Sequence, residues 1–175
     1  PNVLSIFSGS GGLDLGFHLA GFNIVGSIEL EEWACNSLRK NFPQNKVIGP
    51  PDISGDISEW SSEDLLAILK LKKTDIDLII GGPPCQPFSQ AASQRFLASD
   101  KRYKRIGFDD KRKGNLLFEF IRLIIDIKPN NFVIENVLGL LKIDKGIHLK
   151  KALSVLQEKG DYEFSDISTT KMELY

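Results

Sequence analysis

The apolar positions along the chain follow two alternating periods, and this alternation predicts strands separated by helices. Short apolar runs have the length of buried strands. Between them, apolar residues recur at the spacing of amphipathic helices. The predicted strands cover residues 3–7, 23–29, 76–82 and 131–137, and the predicted helices cover 13–20, 31–42, 63–73, 114–128 and 145–160.

Proline and serine residues mark the ends of several of these elements. Pro43 and Pro129 each follow a predicted helix, where a proline acts as a stop signal. Ser61 and Asp64 have the spacing of a capping box for the helix that follows them. Residues 43–55 are predicted to form a loop that leads to the end of a third strand at 55–57, and residues 161–169 are predicted to open a sixth strand.

The order of these elements indicates the fold class. Strands that alternate with helices along a chain form a parallel sheet joined by right-handed crossovers. The sequence therefore predicts an α/β fold with a mostly parallel sheet and helices on both faces. In sheets of this kind, ligands bind at the carboxyl ends of the strands. The candidate chemistry falls at such strand ends, so we expect one site at that edge.

Composition adds few constraints beyond a single globular domain. The 175 residues are 42% hydrophobic and 26% charged, with a formal net charge of -1, which is ordinary for a soluble protein. Overall charge therefore neither favours nor excludes nucleic acid, although basic residues crowd the stretch 101–113. The two cysteines, Cys35 and Cys85, make neither a disulfide framework nor a CxxC motif, so we expect a reducing, intracellular setting and no metal site. No apolar run is long enough to span a bilayer.

The segment "FSGSGG" at 7–12 follows the first strand and opens the first helix. Its glycines let the backbone turn sharply and approach a ligand closely, and the helix N-terminus adds free N–H groups. The segment departs from the dinucleotide-binding fingerprint, because Asp14 stands where the third glycine would be. A pyrophosphate is therefore disfavoured, and with it a dehydrogenase.

Two acidic residues at later strand ends suggest the rest of a cofactor site. Glu29 ends the second predicted strand, 20 residues after Gly9, where a carboxylate can accept both hydroxyls of a ribose. Asp56 ends the third predicted strand, and with Ile57 it could hold the amino group and the face of an adenine. These features predict a nucleoside-type cofactor, and the alternative is a tight turn beside two surface acids.

Cys85 lies just past the fourth strand, in "IGGPPCQPFSQ", and is a candidate nucleophile. A lone cysteine is usually a small buried hydrophobic residue. Here two preceding prolines stiffen the backbone, and the polar loop over 83–113 is longer than a connection needs. A Cys–His pair is disfavoured, because His18 and His148 both lie inside predicted amphipathic helices.

Glu135 ends the adjacent apolar strand, in "FVIENV". A carboxyl group in that place is expected to be desolvated. Paired with Cys85, it fits covalent attack on a heteroaromatic ring, with the carboxyl group holding a ring nitrogen. The alternative is that Glu135 only caps the turn that follows its strand.

The motifs "FSGSGGLDLGF", "GPPCQPFS" and "ENV", in this order and at these strand ends, resemble DNA (cytosine-5) methyltransferases of the bacterial type. The resemblance runs from the first strand to "KMELY", which is nearly the whole chain. It implies a Rossmann-like methyltransferase fold, S-adenosylmethionine as cofactor and double-stranded DNA as partner. It also implies that the Cys85 thiolate attacks C6 of a flipped-out cytosine, that Glu135 holds the N3 edge, and that C5 then takes the methyl group.

The resemblance assigns roles to further residues as well. For the cofactor, it implies that the methionine and ribose side is lined by Phe7, Gly9 and Gly11, and that the ribose hydroxyls are bound by Glu29. It also implies that the adenine is held by Asp56 and Ile57, and that the wall of the pocket is formed by Gly82, Pro84 and Leu116. For DNA it implies a mobile catalytic loop over 86–113, with contacts from Gln86, Ser89, Lys101, Arg102, Lys104, Arg105 and Arg112. The alternative for the basic residues is a solvated run of charge.

Parts of the family pattern are not found in this sequence. The missing parts are a Gln-x-Arg-x-Arg segment, the last sheet strands, a helix that returns beside the glycine turn and the region that reads the DNA sequence. We therefore expect residues 1–175 to form an incomplete catalytic domain of a bacterial, cytoplasmic, nucleoid-associated enzyme. The alternative is an inactive fragment or split half that only binds cofactor and needs a complementing chain. No membrane partner is expected.

Overall fold

The computed structural model describes residues 1–84, 116–137, 140 and 146–163. Within these residues the chain forms five strands, five α-helices and two short 3-10 helices. The strands are β1 (Asn2–Ile6), β2 (Asn23–Ile28), β3 (Val47–Ile48), β4 (Leu78–Gly81) and β5 (Asn131–Ile134). The helices are α1 (Gly12–Leu19), α2 (Glu32–Asn41), α3 (Ser62–Leu69), α4 (Leu116–Ile127) and α5 (Ile147–Gly160), and the 3-10 helices are Ile57–Glu59 and Lys73–Asp75.

The strands form one parallel sheet in the order β3-β2-β1-β4-β5, which confirms the predicted α/β fold. The chain moves outward from β1 to β3 and then returns across the sheet to β4, so a switch point lies between β1 and β4. Ile6 pairs with both Ile28 and Gly81, and Gly81 pairs with Ile134. The carboxyl ends of β2, β1, β4 and β5 therefore lie level along one edge, where open α/β sheets bind ligands.

Apolar side chains on the two faces of the sheet form separate cores. Strand β4 shows the division, because successive strand residues point to opposite faces. Leu78 and Ile80 belong to a smaller cluster against Phe17 of α1. Ile79 belongs to a larger cluster that includes Phe120 of α4 and residues of α3 and α5. Helices therefore cover both faces of the sheet, as predicted.

The start of α3 and the buried face of α4 are both determined by the local sequence. Ser61 Oγ accepts the Asp64 N–H at 3.1 Å, and Asp64 Oδ2 accepts the Ser61 N–H at 3.4 Å. This is the predicted capping box, and it satisfies N–H groups that lack partners within α3. In α4, apolar residues recur at helical spacing and are buried at Leu117, Phe120, Ile121, Ile124 and Ile127.

The prediction for the third strand was wrong. Strand β3 is the pair Val47–Ile48, which lies inside the stretch that was predicted to be a loop. It hydrogen-bonds to Ser27–Ile28 of β2. Residues 55–57 are not a strand. Asp56 Oδ1 accepts both the N–H and the hydroxyl of Ser58, at 2.9 and 2.7 Å, and so turns the chain into the 3-10 helix Ile57–Glu59. A side chain that bonds its own backbone two residues later favours a turn over a strand.

The remaining differences concern the ends of elements. Most predicted bounds differ from the observed ones by a few residues, as is usual for element ends. Residues 161–163 of the predicted sixth strand are not a strand, and the rest of that stretch lies outside the described residues. Among the helices that the structure describes, none is both long and apolar enough to cross a membrane.

Candidate functional site

The candidate site lies along the edge where β2, β1, β4 and β5 end. Because those strand ends are level, the residues that follow them come together at this edge. They are Phe7 with the glycine turn after β1, Glu29 after β2, Gly82 after β4 and Glu135 after β5. The structure therefore brings together most of the cofactor and catalytic residues that the sequence predicted and that lie in its described part.

The glycine turn (Phe7–Gly12) has a backbone conformation that favours glycine at several positions. Phe7, Gly9 and Gly11 have φ angles of +58°, +53° and +90°, in the left-handed region. The Ser8 carbonyl accepts the Gly11 N–H at 2.9 Å, which closes the turn. A Cβ at Gly11 would lie 2.7 Å from Cε2 of Phe42, whereas a Cβ at Gly9 would meet nothing within 4 Å. The turn is therefore packed on one side and open on the side of Gly9.

Glu29 lies at the border of that open space and is held by main-chain groups. Its side chain is buried, its Oε2 accepts the Gly9 N–H at 2.7 Å, and its Oε1 accepts the Glu31 N–H at 2.9 Å. The Cys35 thiol donates to the Glu29 carbonyl at 3.2 Å. A Cβ at Gly49 or Gly55 would overlap the same carbonyl oxygen. The carboxylate of Glu29 is therefore fixed in place beside the glycine turn.

Asp56 and Ile57 lie differently from the prediction. Asp56 is half-buried and, as described above, uses one carboxylate oxygen to cap the 3-10 helix. The Ile57 side chain is only 1% exposed and belongs to the larger core cluster. It therefore has no free face for an adenine, and the predicted side-chain contact is corrected to a role in the core. The Ile57 carbonyl is engaged as well, because it accepts from Arg122 Nη2 at 3.1 Å.

The loop before Asp56 depends on an arginine that sequence reasoning missed. Arg39 donates to the carbonyls of Gly49 and Pro50, at 2.8 and 2.6 Å, and pairs with Asp52 at 3.0 Å. These bonds join α2 to the segment that leads from β3 toward Asp56. No local pattern marks Arg39, because its partners lie ten or more residues away.

Glu135 lies over the main chain of β4. Its N–H donates to the Gly81 carbonyl at 2.9 Å, and a Cβ at Gly82 would lie 2.8 Å from Glu135 Oε2. A glycine at 82 therefore makes room for the carboxylate. The side chain is exposed, so the burial expected from its apolar strand is not found. In the described residues β5 is an edge strand, and Val133 in it is 40% exposed.

Asn136, the middle residue of "ENV", links β5 to the segment that leads to the predicted nucleophile. Its Nδ2 donates to the carbonyl of Pro83 at 3.2 Å, and its Oδ1 accepts the Val137 N–H at 2.9 Å. Pro83 is buried and Pro84 is exposed. The sequence alone indicates no role for Asn136 beyond its place in the "ENV" motif.

One further predicted site residue, Leu116, lies in the described part of the chain, where it is the first residue of α4 and is half-buried. Within the described residues, no cluster of histidine, cysteine and acidic side chains could hold a metal ion. Outside the described residues lie the predicted nucleophile and all predicted DNA contacts, namely Cys85, Gln86, Ser89, Lys101, Arg102, Lys104, Arg105 and Arg112.

Comparison with known proteins gives consistent matches. The family model for the C-5 cytosine-specific DNA methylase matches residues 2–172. The type II methyltransferase M.AquIA of Picosynechococcus sp. is 40% identical over 91% of this chain and 58% of its own length. M.NgoFVII of Neisseria gonorrhoeae is 38% identical over 93% of this chain and 37% of its own length.

Solved structures agree with these matches. A prophage-encoded E. coli protein assigned as a DNA modification methyltransferase has 31% sequence identity and a TM-score of 0.67, over 90% of this chain and 38% of its own. The chain therefore spans less than two thirds of the length of each of these three relatives.

Proposed function

The chain belongs to the C-5 cytosine-specific DNA methylase family, and on this basis we propose that it supplies the catalytic portion of an enzyme that transfers a methyl group from S-adenosylmethionine to C5 of cytosine in double-stranded DNA. The observation that carries the proposal is a pair of carboxylates at one sheet edge. Glu29 lies beside the glycine turn, and Glu135 lies over the main chain of Gly82. They follow β2 and β5, on either side of the strands that carry the glycine turn and the "GPPC" motif.

The residues present fit S-adenosylmethionine as the cofactor. The open space at Gly9 leaves room in front of the turn. Each Glu29 oxygen accepts one main-chain N–H and keeps a second lone pair, so the two oxygens can accept both ribose hydroxyls. Asp56 would accept from the adenine amino group with the carboxylate oxygen that does not cap the 3-10 helix. When bound, S-adenosylmethionine supplies an electrophilic methyl group.

Cys85 and Glu135 are the proposed catalytic residues. The Cys85 thiolate adds to C6 of the cytosine and forms a C–S bond, which gives C5 the electron density that an aromatic pyrimidine lacks. Glu135 holds the N3 edge, and a proton held between its carboxyl group and N3 offsets the negative charge that develops on the ring and returns to Glu135 when the C–S bond breaks. After C5 has gained the methyl group, a base removes the C5 proton and the C–S bond breaks. This restores the thiolate and leaves 5-methylcytosine.

The cytosine must leave the helix for this chemistry, because its C6 is inaccessible inside a duplex. The proposal therefore includes base flipping, with the basic residues of 101–113 as phosphate contacts. Asn136 supports the site from β5, since it holds the carbonyl of Pro83 two residues before Cys85.

A second candidate is that the polypeptide of 175 residues binds cofactor but transfers no methyl group unless a complementing chain is added. The observation that favours it is length, because this chain spans 58% of M.AquIA and 37% of M.NgoFVII. Both candidates use the same cofactor site, so they differ only in whether the chain transfers methyl groups by itself.

Incubation with duplex DNA and tritiated S-adenosylmethionine separates the two candidates. Incorporation that is lost in Cys85→Ser and kept in Cys35→Ser would support methyl transfer by this chain alone. Cofactor binding without incorporation would support the second candidate. Absence of both incorporation and binding would contradict the proposed function in either form.

A covalent trap tests the role of Cys85 in any preparation that transfers methyl groups. Duplex DNA with 5-fluorocytosine at the target base should form a stable adduct, because the C5 fluorine does not leave as a proton does. Peptide mapping by mass spectrometry should place the adduct on Cys85. Methyl transfer without an adduct, or an adduct on Cys35, would overturn the assignment.

A further inference from the structure

Asp14, in the first turn of α1, is a buried carboxylate that the proposed chemistry does not use. Its side chain is 0% exposed. The Ser5 hydroxyl of β1 donates to Oδ1 at 2.5 Å, and the Ser27 hydroxyl of β2 donates to Oδ2 at 2.7 Å. Ser5 and Ser27 are register partners on neighbouring strands. One carboxylate therefore joins α1 to two strands at once.

One branch of this network reaches the glycine turn. The Ser8 hydroxyl donates to Ser5 Oγ at 2.9 Å, and Ser5 in turn donates to Asp14. Ser8 is the residue that opens the turn, since its carbonyl accepts the Gly11 N–H. The next residue, Gly9, donates its N–H to Glu29. Asp14 is thus connected to the turn through the hydroxyls of Ser5 and Ser8, and the connection ends one residue before the Gly9 N–H that binds Glu29.

The other branch reaches the strand that carries Glu29. Ser27 lies two residues before Glu29, and the Ser8 N–H donates to the carbonyl of the residue between them, Ile28, at 3.2 Å. This branch therefore joins α1 to β2 and makes no bond to the Glu29 carboxylate, whereas the Ser8 branch ends on the glycine turn itself.

A buried carboxylate in this place has opposing effects on stability. Transfer of an ionised group out of water is unfavourable unless hydrogen bonds compensate. Burial raises the pKa of Asp14, although the two serine hydroxyls oppose this change. A small apolar side chain would avoid the unfavourable burial of charge, but it would leave the Ser5 and Ser27 hydroxyls without their acceptor.

We infer that Asp14 is a positioning residue that holds the glycine turn at a fixed distance from Glu29, and that it acts through Ser5 and Ser8. This inference rests on the proposed function, because it concerns the site that would hold S-adenosylmethionine. Asp14 is fully buried and does not touch the ligand. Its effect on binding therefore passes through the turn.

Two serine variants form a matched pair for testing this inference. Ser8→Ala and Ser27→Ala each remove one hydroxyl and one hydrogen bond of the same network, but only Ser8 leads to the turn. Isothermal titration of the 175-residue chain with S-adenosylhomocysteine gives the dissociation constant, and thermal unfolding gives the stability of each variant. Loss of a buried hydrogen bond changes an equilibrium by up to about tenfold. We expect that weakening in Ser8→Ala and a change within about threefold in Ser27→Ala, although Ser27→Ala should lose at least as much thermal stability, because its lost bond goes to a carboxylate.

Variants of Asp14 itself complete the test. Asp14→Ala removes both branches and should weaken binding by at least as much as Ser8→Ala. Asp14→Asn can still accept from Ser5 with its carbonyl oxygen and donate to Ser27, so it should restore binding to near the wild-type value. Equal binding losses in Ser8→Ala and Ser27→Ala, or an unchanged dissociation constant in a folded Asp14→Ala, would overturn the inference. The serine pair decides the matter if Asp14→Ala does not fold. If the wild-type chain binds neither S-adenosylmethionine nor S-adenosylhomocysteine, the proposed function itself is contradicted.

Discussion

The two glycines of the turn at 9 and 11 allow stability and cofactor binding to be separated by single substitutions to alanine. Both have positive φ angles, +53° and +90°, so each variant loses about 1–2 kcal/mol from backbone strain. At Gly11 the new Cβ would also lie 2.7 Å from Phe42 Cε2 and 2.9 Å from Leu38 Cδ2. Crowding of this kind in a packed core costs about 1–3 kcal/mol more.

Gly11→Ala should therefore lower the free energy of unfolding by about 2–5 kcal/mol, the sum of the strain and crowding contributions. Gly9→Ala should lower it by only about 1–2 kcal/mol, because the new Cβ meets nothing within 4 Å. That Cβ points into the space where the cofactor is proposed to lie, so Gly9→Ala should weaken binding more than its small loss of stability explains.

Urea unfolding followed by tryptophan fluorescence measures the stability of both variants, since Trp60 is partly buried against the core. Titration with S-adenosylhomocysteine measures binding. Gly16→Ala is the control, because residue 16 lies inside α1, outside the turn, and a Cβ there meets nothing within 4 Å. If Gly9→Ala destabilises the chain as much as Gly11→Ala and leaves binding unchanged, the description of the turn as packed on one side and open on the other is wrong.

Three further predictions follow from hydrogen bonds and burial. Arg39→Lys should lower the free energy of unfolding in urea by about 1–2 kcal/mol, because lysine keeps the charge but cannot bond both carbonyls that follow β3; unchanged stability would show that those bonds are dispensable. Asn136→Ala and Asn136→Asp should both lose about 1 kcal/mol, because neither side chain can donate to the Pro83 carbonyl; a fully stable Asn136→Asp would contradict this. Burial raises the pKa of Asp14 in the folded chain, so the folded state holds this proton more tightly than the unfolded state. Its contribution to stability should then fall as pH rises from about 3.9, the ordinary value, through the raised folded pKa, and stay constant above it. Asp14→Asn lacks this decline, so its stability relative to wild type should increase with pH in urea titrations between pH 4 and pH 8, and parallel profiles would refute the sign.

Features that depend on local sequence were predictable. The apolar run of β4 has the length of a buried strand, and the Ser61–Asp64 capping box is a contact between residues three apart. The level edge of the sheet follows from the order of strands and helices, and that order alone indicates that Glu29 and Glu135 lie at one edge of the sheet.

Features that depend on distant partners were not predictable. Strand β3 has only two residues, Val47 and Ile48, and exists because it pairs with β2. The exposure of Glu135 depends on what covers an edge strand, which periodicity does not report. In the sequence, Asp14 marks only the absence of a third glycine, because its contacts are to two serines that the sheet brings beside it.

The central claim is that the edge beside Glu29 binds S-adenosylmethionine. The most direct test is titration of the wild-type chain, Glu29→Gln and Glu31→Gln with S-adenosylhomocysteine. Hydrogen bonds to a charged group are worth about 1.5–3 kcal/mol, so loss of the Glu29 charge should weaken binding by at least about tenfold. Exposed Glu31 should tolerate the same change. Saturable binding that is weakened only in Glu29→Gln is the expected result, and equal binding by all three chains, or none by the wild type, would contradict the account.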